Sequence, residues 1–239
     1  MKKTLSLMLL LFCMASTAMA QRSKGTLSVI PRLGVNVSQV HHGGYYYQAS
    51  ETLMGVNENK AAAGLTIGAD AEYQLTELFY LSAGLDYSLQ RSKFDNCLAY
   101  EREDADTRYL TGISSNKMKL GYIHLPVMVG CYVYNTLSVK LGLQFGYALS
   151  GRWSYDERDI SVDKNTGRST QTDALHRSAS MTSSLKRFEV GIPVGVAYEY
   201  QNVLLDLRYF HGLTKAFNVD CKNRSLTLTV GYRFDVAKF

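Results

Sequence analysis

The run from 225 to 236, Ser-Leu-Thr-Leu-Thr-Val-Gly-Tyr-Arg-Phe-Asp-Val, alternates without a break. Leu226, Leu228, Val230, Tyr232, Phe234 and Val236 are apolar or aromatic; Ser225, Thr227, Thr229, Gly231, Arg233 and Asp235 are small, polar or charged. A β-strand points successive side chains to opposite faces, so this segment makes a ribbon with one apolar and one wet face. A chain built from such ribbons must hide the apolar faces in a second protein layer or expose them to lipid.

The beginning of the chain decides between these. Lys2 and Lys3, an apolar stretch from Leu5 to Met14 and the small-x-small site Ala18-Met19-Ala20 predict a signal peptide over 1–20 that is cleaved before Gln21. Phe12 precedes Cys13 where a lipoprotein signal needs a small residue. Beyond Ala20 no stretch approaches the ~20 apolar residues of a spanning helix. Removing Lys2 and Lys3 takes the formal charge from +5 to +3, too mild for a nucleic-acid partner. With 3 prolines, 19 glycines and 17 tyrosines among 239 residues, the composition suits closed sheets and aromatic girdles. Residues 21–239 read as a single domain.

Seven further runs alternate in the same way: 26–37, 61–74, 78–90, 117–129, 137–150, 188–200 and 203–211. The fourth changes phase. Met118, Leu120 and Tyr122 hold the apolar positions first, then Ile123, Leu125, Val127 and Val129, which predicts a β-bulge in this run near Pro126. The connections after runs two, four and six are short (75–77, 134–136, 201–202). Those after runs one, three, five and seven are long and polar (38–60, 92–115, 151–184, 214–224). Short turns on one side and long loops on the other are the rhythm of an outer-membrane barrel. Tyr73, Phe79, Tyr132, Tyr134, Tyr198 and Tyr200 flank the short turns, and Tyr87, Tyr147, Phe188 and Tyr209 sit toward the long loops, as two interfacial belts would. The expected fold is all-β: an eight-stranded antiparallel up-and-down transmembrane β-barrel.

A barrel of eight strands has an interior that side chains can fill. The wet faces place Arg32, Asp70, Glu72, Asp86, Lys119, Lys140, Glu189, Glu199, Asp206, Arg208, Arg233 and Asp235 in this lumen, and their mixed signs predict a salt-bridged plug rather than a conducting pore. Acid–base catalysis could use paired carboxylates, but these share strands with basic residues. His41 and His42, beside Tyr45, Tyr46 and Tyr47, form the best candidate contact surface: tyrosine gives large contact area at low entropy cost. No third metal ligand stands at diagnostic spacing from the two histidines, and no serine-hydrolase, zinc or phosphate-loop motif occurs. Cys97 and Cys221 fall in long loops on one side and are candidates for a disulfide; Cys131 lies near the opposite end.

Three stretches resemble the PorT-like outer-membrane β-barrel proteins of Bacteroidetes-type bacteria: Tyr122-Ile123-His124-Leu125-Pro126-Val127, the glycine-rich run 188–200, and Leu205-Asp206-Leu207-Arg208-Tyr209 with Gly212-Leu213-Thr214. Pro31-Arg32-Leu33-Gly34-Val35-Asn36 is also similar. His124 stands where a carboxylate is common in that family. The resemblance implies an outer-membrane location and an eight-strand barrel, with a possible link to type IX secretion; it supplies no catalytic residue.

The function expected from the sequence is therefore a non-enzymatic barrel in the bacterial outer membrane, with outward loops making surface or envelope contacts. Its partners would be outer-membrane lipid and other envelope or secretion proteins, with no nucleic acid and no cofactor. The alternatives are a lipid-modifying enzyme, for which His211 is the histidine placed on the outward face, and a small channel.

Overall fold

The computed structural model describes residues 23–41, 53–54, 59–217 and 221–239. They form one antiparallel sheet of thirteen strands: β1 Thr26–His41, β2 Leu53–Met54, β3 Asn59–Gln74, β4 Phe79–Phe94, β5 Cys97–Glu103, β6 Thr107–Tyr134, β7 Leu137–Asp163, β8 Ser169–Gln171, β9 Leu175–Ser180, β10 Phe188–Tyr200, β11 Val203–Gly212, β12 Lys222–Tyr232 and β13 Phe234–Lys238. Eight of these close a ring in the order β1-β3-β4-β6-β7-β10-β11-β12 and back to β1. Closure removes every edge from the membrane-spanning part, as a sheet in hydrocarbon requires. β13 carries β12's course onward along the first residues of β1.

The expected alternation runs right around this ring. Leu33, Leu65, Leu85, Leu125, Leu141, Val194, Leu207 and Leu228 are exposed on the outside, while Arg32, Asp70, Asp86, Lys140 and Arg208 are buried within. An exposed apolar face on a closed cylinder is the inverse of a soluble protein, and the medium that stabilises it is lipid. Tyr73, Phe79, Tyr134 and Tyr200 flank the short turns on the outer face, and Tyr87, Tyr147, Phe188 and Tyr209 ring the other end. Tyr132, expected in the first belt, turns inward instead and packs on Tyr80 with ring centroids 5.3 Å apart.

Two expectations are corrected by the strand pairing. The bulge expected in the fourth run lies across the ladder in β7. Gly121 pairs with Ser150 and Tyr122 with Ala148, so the extra residue is Leu149. Along β6 the even-numbered residues from Met118 to Met128 all stay inside. Pro126 leaves no bulge either; its missing N–H leaves a gap in the pairing with β4, between Ala83↔Val127 and Asp86↔His124.

Segments 92–115 and 151–184, expected as loops, are largely strand. β6 and β7 stay paired from Tyr134↔Leu137 out to Thr107↔Asp163, flanked by β5, β8 and β9. At ~3.3 Å per residue, the 28 residues of β6 extend roughly 90 Å, against about 10 residues needed to cross the bilayer. The far half is a ribbon standing outside the membrane. At its tip Asp163 Oδ1 accepts from the amides of Asn165 (2.9 Å) and Thr166 (2.8 Å), and Gly167 takes φ +65°, which a side chain would disfavour.

Candidate functional site

Inside the barrel, strand alternation brings polar residues from different strands to one axis. At mid-height Arg32 (β1) contacts Asp86 (β4) and reaches Asp70 (β3) at 3.2 Å. Arg208 (β11) grips Asp70 from the other side and holds Asp206 at 2.6 Å, and Lys140 Nζ (β7) donates to Asp206 at 2.5 Å. Arg32, Lys140 and Arg208 thus answer Asp70, Asp86 and Asp206 charge for charge. The Lys140 side chain is 0% exposed; a lone ammonium there would cost several kcal/mol (roughly) in desolvation, so the carboxylates are what allow it.

Toward the short turns, Arg233, between β12 and β13, bridges Glu72 (2.6 Å) and Glu199 (3.1 Å), and Tyr80 Oη shares a hydrogen bond with Ser138 at 2.9 Å. Toward the long-loop end, Asn223 Nδ2 donates to Glu189 Oε2 at 2.9 Å and to Tyr122 Oη at 3.0 Å. Tyr122 stacks on His124, centroids 5.5 Å apart. Between these levels a cavity of about 30 Å³ lined by Arg32, Asp86, His124, Gln144 and Phe210 is water-sized.

Above Tyr122 the lumen turns apolar. Val40, Phe94, Met118, Leu120, Ala148 and Cys221 line the wall, and Met181, Leu185, Ala216 and Phe217 fold in from the segments after β9 and β11. Lys186 N donates to Ala216 O at 3.0 Å, tying the two segments together, and Met181 N donates to Gly151 O at 2.9 Å. This stopper was not anticipated from the sequence. Met118, Leu120 and Tyr122 had read as lipid-facing; their neighbours Lys117 and Lys119 were the available signal that the inward face there is the apolar one.

Two residues of the expected lumen set lie elsewhere. Lys119 is exposed on the outer surface, because β6 keeps its phase. Asp235 sits exposed at the short-turn rim, where it accepts from Ser28 Oγ at 2.7 Å. The candidate bridge between Cys97 and Cys221 is not formed: both are free thiols. Cys221 belongs to the stopper, whereas Cys97 lines a crevice on the ribbon with Ile113 and Ile160. Burial pushes the Cys97 thiol up, away from the reactive thiolate.

Of the expected contact surface, His41 ends β1 but its side chain is outside the described residues, as are His42, Tyr45, Tyr46 and Tyr47. The signal-peptide segment 1–20 also lies outside them. Most of the described surface beyond the long-loop end of the barrel belongs to the ribbon. Its charges are locally paired: Glu103 receives Lys164 (2.5 Å) and Arg108 (3.1 Å), Glu157 receives Arg177 (2.9 Å), and Asp156 accepts from His176 Nδ1 (2.7 Å). Hydrogen bonds from Lys164 and Arg108 hold the Glu103 carboxyl below its usual range; His176, then Ser115, does so for Asp156. β8 and β9 are exposed along their whole length. Among the described residues no group of His, Cys, Asp and Glu is placed to hold a metal. His211 lies on the outer face beside Tyr209, and no hydrogen bond links it to a serine among the described residues.

The model of the outer membrane protein beta-barrel domain family matches residues 19–218. No curated protein matches. Among solved structures, similar ones include the attachment invasion locus protein Ail of Yersinia pestis (14% identity, 88% of this chain and 99% of that one, TM-score 0.42). Neisserial surface protein A is also similar (16%, 88% and 97%, TM-score 0.38), as is OprG of Pseudomonas aeruginosa (9%, 90% and 99%, TM-score 0.37).

Proposed function

The chain belongs to the outer membrane protein beta-barrel domain family, and on that footing we propose that it is a non-conducting, non-enzymatic anchor that holds a stiff β-ribbon outside the bacterial outer membrane for contact with envelope or secretion proteins. The observation that carries the reading is the division of labour between the two halves of β6 and β7. The inner halves belong to a barrel filled by ion pairs and closed by Phe217 and Leu185; the outer halves form a paired, solvent-exposed sheet. A permeation pathway needs a continuous polar channel, and the stopper replaces one with an apolar layer. An enzyme needs convergent groups in reach of substrate, and the buried charges are engaged with one another.

Planar-bilayer recordings on the refolded mature protein test the lumen: no steady unitary conductance is expected, and reproducible open steps would overturn the reading. Photo-crosslinkers at Tyr109 and Ser169, both on the ribbon, test the contact surface in intact cells. A discrete envelope protein captured from both positions, and from neither when the crosslinker is moved to lipid-facing Leu207, supports it; lipid as the sole product at all three sinks it.

A further inference from the structure

The outer wall carries a run of cations that the lumen network does not use. Arg91 on β4 is the cross-strand partner of Lys119 on β6, and Lys119 is the partner of Arg152 on β7. One step farther out, Lys93 faces Lys117. Like charges directly opposite one another destabilise a sheet, and here three stand side by side, ~5 Å from strand to strand. Arg91, Lys93, Lys119 and Arg152 have no ion-pair partner among the described residues, and Arg91 Nε is buried with no hydrogen bond. The carboxylates in the vicinity are committed: Asp95 to Lys60 at 2.5 Å, and Asp156, which also senses Lys117, to His176 at 2.7 Å.

The setting of the row identifies what answers it. Directly below, the same three strands present Leu89 and then the row Tyr87, Ile123 and Tyr147, which are exposed, apolar or aromatic and part of the outer belt. Arg91 lies four residues beyond Tyr87, which on a tilted strand is about 10 Å above the belt, within reach of a phosphate in the headgroup layer by a long side chain. Beside the row opens a groove of about 570 Å³ whose walls include Leu89, Lys119, Ser150, Arg152, Ser180 and Thr182. Its floor is cationic, its sides carry hydroxyls, and its lower lip is apolar. That is the complement of an anionic headgroup continuous with acyl chains.

We propose that the Arg91–Lys119–Arg152 row and its groove bind the phosphate of an outer-leaflet lipid, whose chains run down over Leu89 and Tyr147. Guanidinium groups at both ends suit bidentate contacts to phosphate oxygens, and the bound anion cancels the repulsion built into the row. The site is independent of whether the ribbon meets a protein partner.

Native mass spectrometry of the detergent-solubilised mature protein with added monophosphoryl lipid A tests it. A one-to-one adduct is expected, weakened about tenfold or more in the triple variant Arg91→Gln, Lys119→Gln, Arg152→Gln and kept in Arg91→Lys, Arg152→Lys. A matching triple change on the ribbon, Lys164→Gln, Arg168→Gln, Arg177→Gln, leaves it intact. The shift between folded and boiled bands on gel electrophoresis verifies folding; without lipid the row variant is expected to be at least as heat-resistant as the parent. Equal adduct in the row variant, equal binding of the dephosphorylated lipid, or displacement by inorganic phosphate would each overturn the proposal, the last by showing a site for free anions.

Discussion

The carboxylate of Asp70 on β3 lies over Gly84, its cross-strand partner on β4: a Cβ at Gly84 would stand 2.1 Å from Asp70 Oδ1. Gly68 and Asp86 repeat the arrangement two pairs farther along, also at 2.1 Å. Two glycines therefore open the space in which Arg32 and Arg208 reach their carboxylates.

Gly84→Ala is expected to push Asp70 off one of its arginines and to destabilise the barrel by about 1–3 kcal/mol, the usual cost of overpacking. Urea unfolding in detergent micelles checks this. Gly167→Ala, which fills open space at the ribbon tip, is expected to leave barrel unfolding unchanged.

The Lys140–Asp206 contact offers a second test. Asp206→Asn leaves Lys140 buried without its nearest countercharge and is expected to cost about 3–5 kcal/mol. Lys140→Met in the same chain removes the orphaned charge and recovers a large part of that loss. A double-mutant cycle by equilibrium unfolding reads the coupling, and purely additive effects would contradict the network described.

Acid is expected to loosen the ribbon before the barrel. Glu103 and Asp156 titrate below their ordinary ranges because hydrogen bonds, from Lys164 and Arg108 to the first and from His176 and Ser115 to the second, favour the charged form. A depressed carboxylate contributes stability that is present above about pH 4 and is lost as pH falls toward its folded-state value. Hydrogen exchange compared between pH 7 and acid, corrected for intrinsic rates, should show protection lost around β5, β8 and β9 while β1, β11 and β12 keep theirs.

The cysteines give a chemical check. Three free thiols are expected by mass spectrometry of the mature protein unfolded under alkylating conditions without reductant. In the native state Cys97 and Cys221, both buried, are expected to react more slowly than half-buried Cys131.

Much of the barrel was legible in the chain because a strand's alternation is a local property. Leu205, Leu207 and Tyr209 had to share a face opposite Asp206 and Arg208, whatever lay beside them. The rhythm of short and long connections then supplied strand number and orientation. The fourth run misled because its apolar and basic residues alternate just where the barrel leaves the membrane. There the burial rule inverts: Met118 and Leu120 fill the mouth, and Lys119 turns to the outer surface. The ribbon was hidden for a related reason. Polar strands such as 156–163 look like loops when burial is the guide, and they hold their shape only by pairing with a neighbour.

Which face of most runs is wet and how many strands close the ring followed from the order of residues alone, since each depends on neighbours two to fifteen positions away. Which charge meets which did not. Arg208 finds Asp70 across 138 residues, Leu149 takes up the extra residue opposite Gly121 and Tyr122, and Phe217 caps the lumen. Those outcomes rest on the register in which the last strand meets the first, a condition on the whole closed ring that no single segment contains.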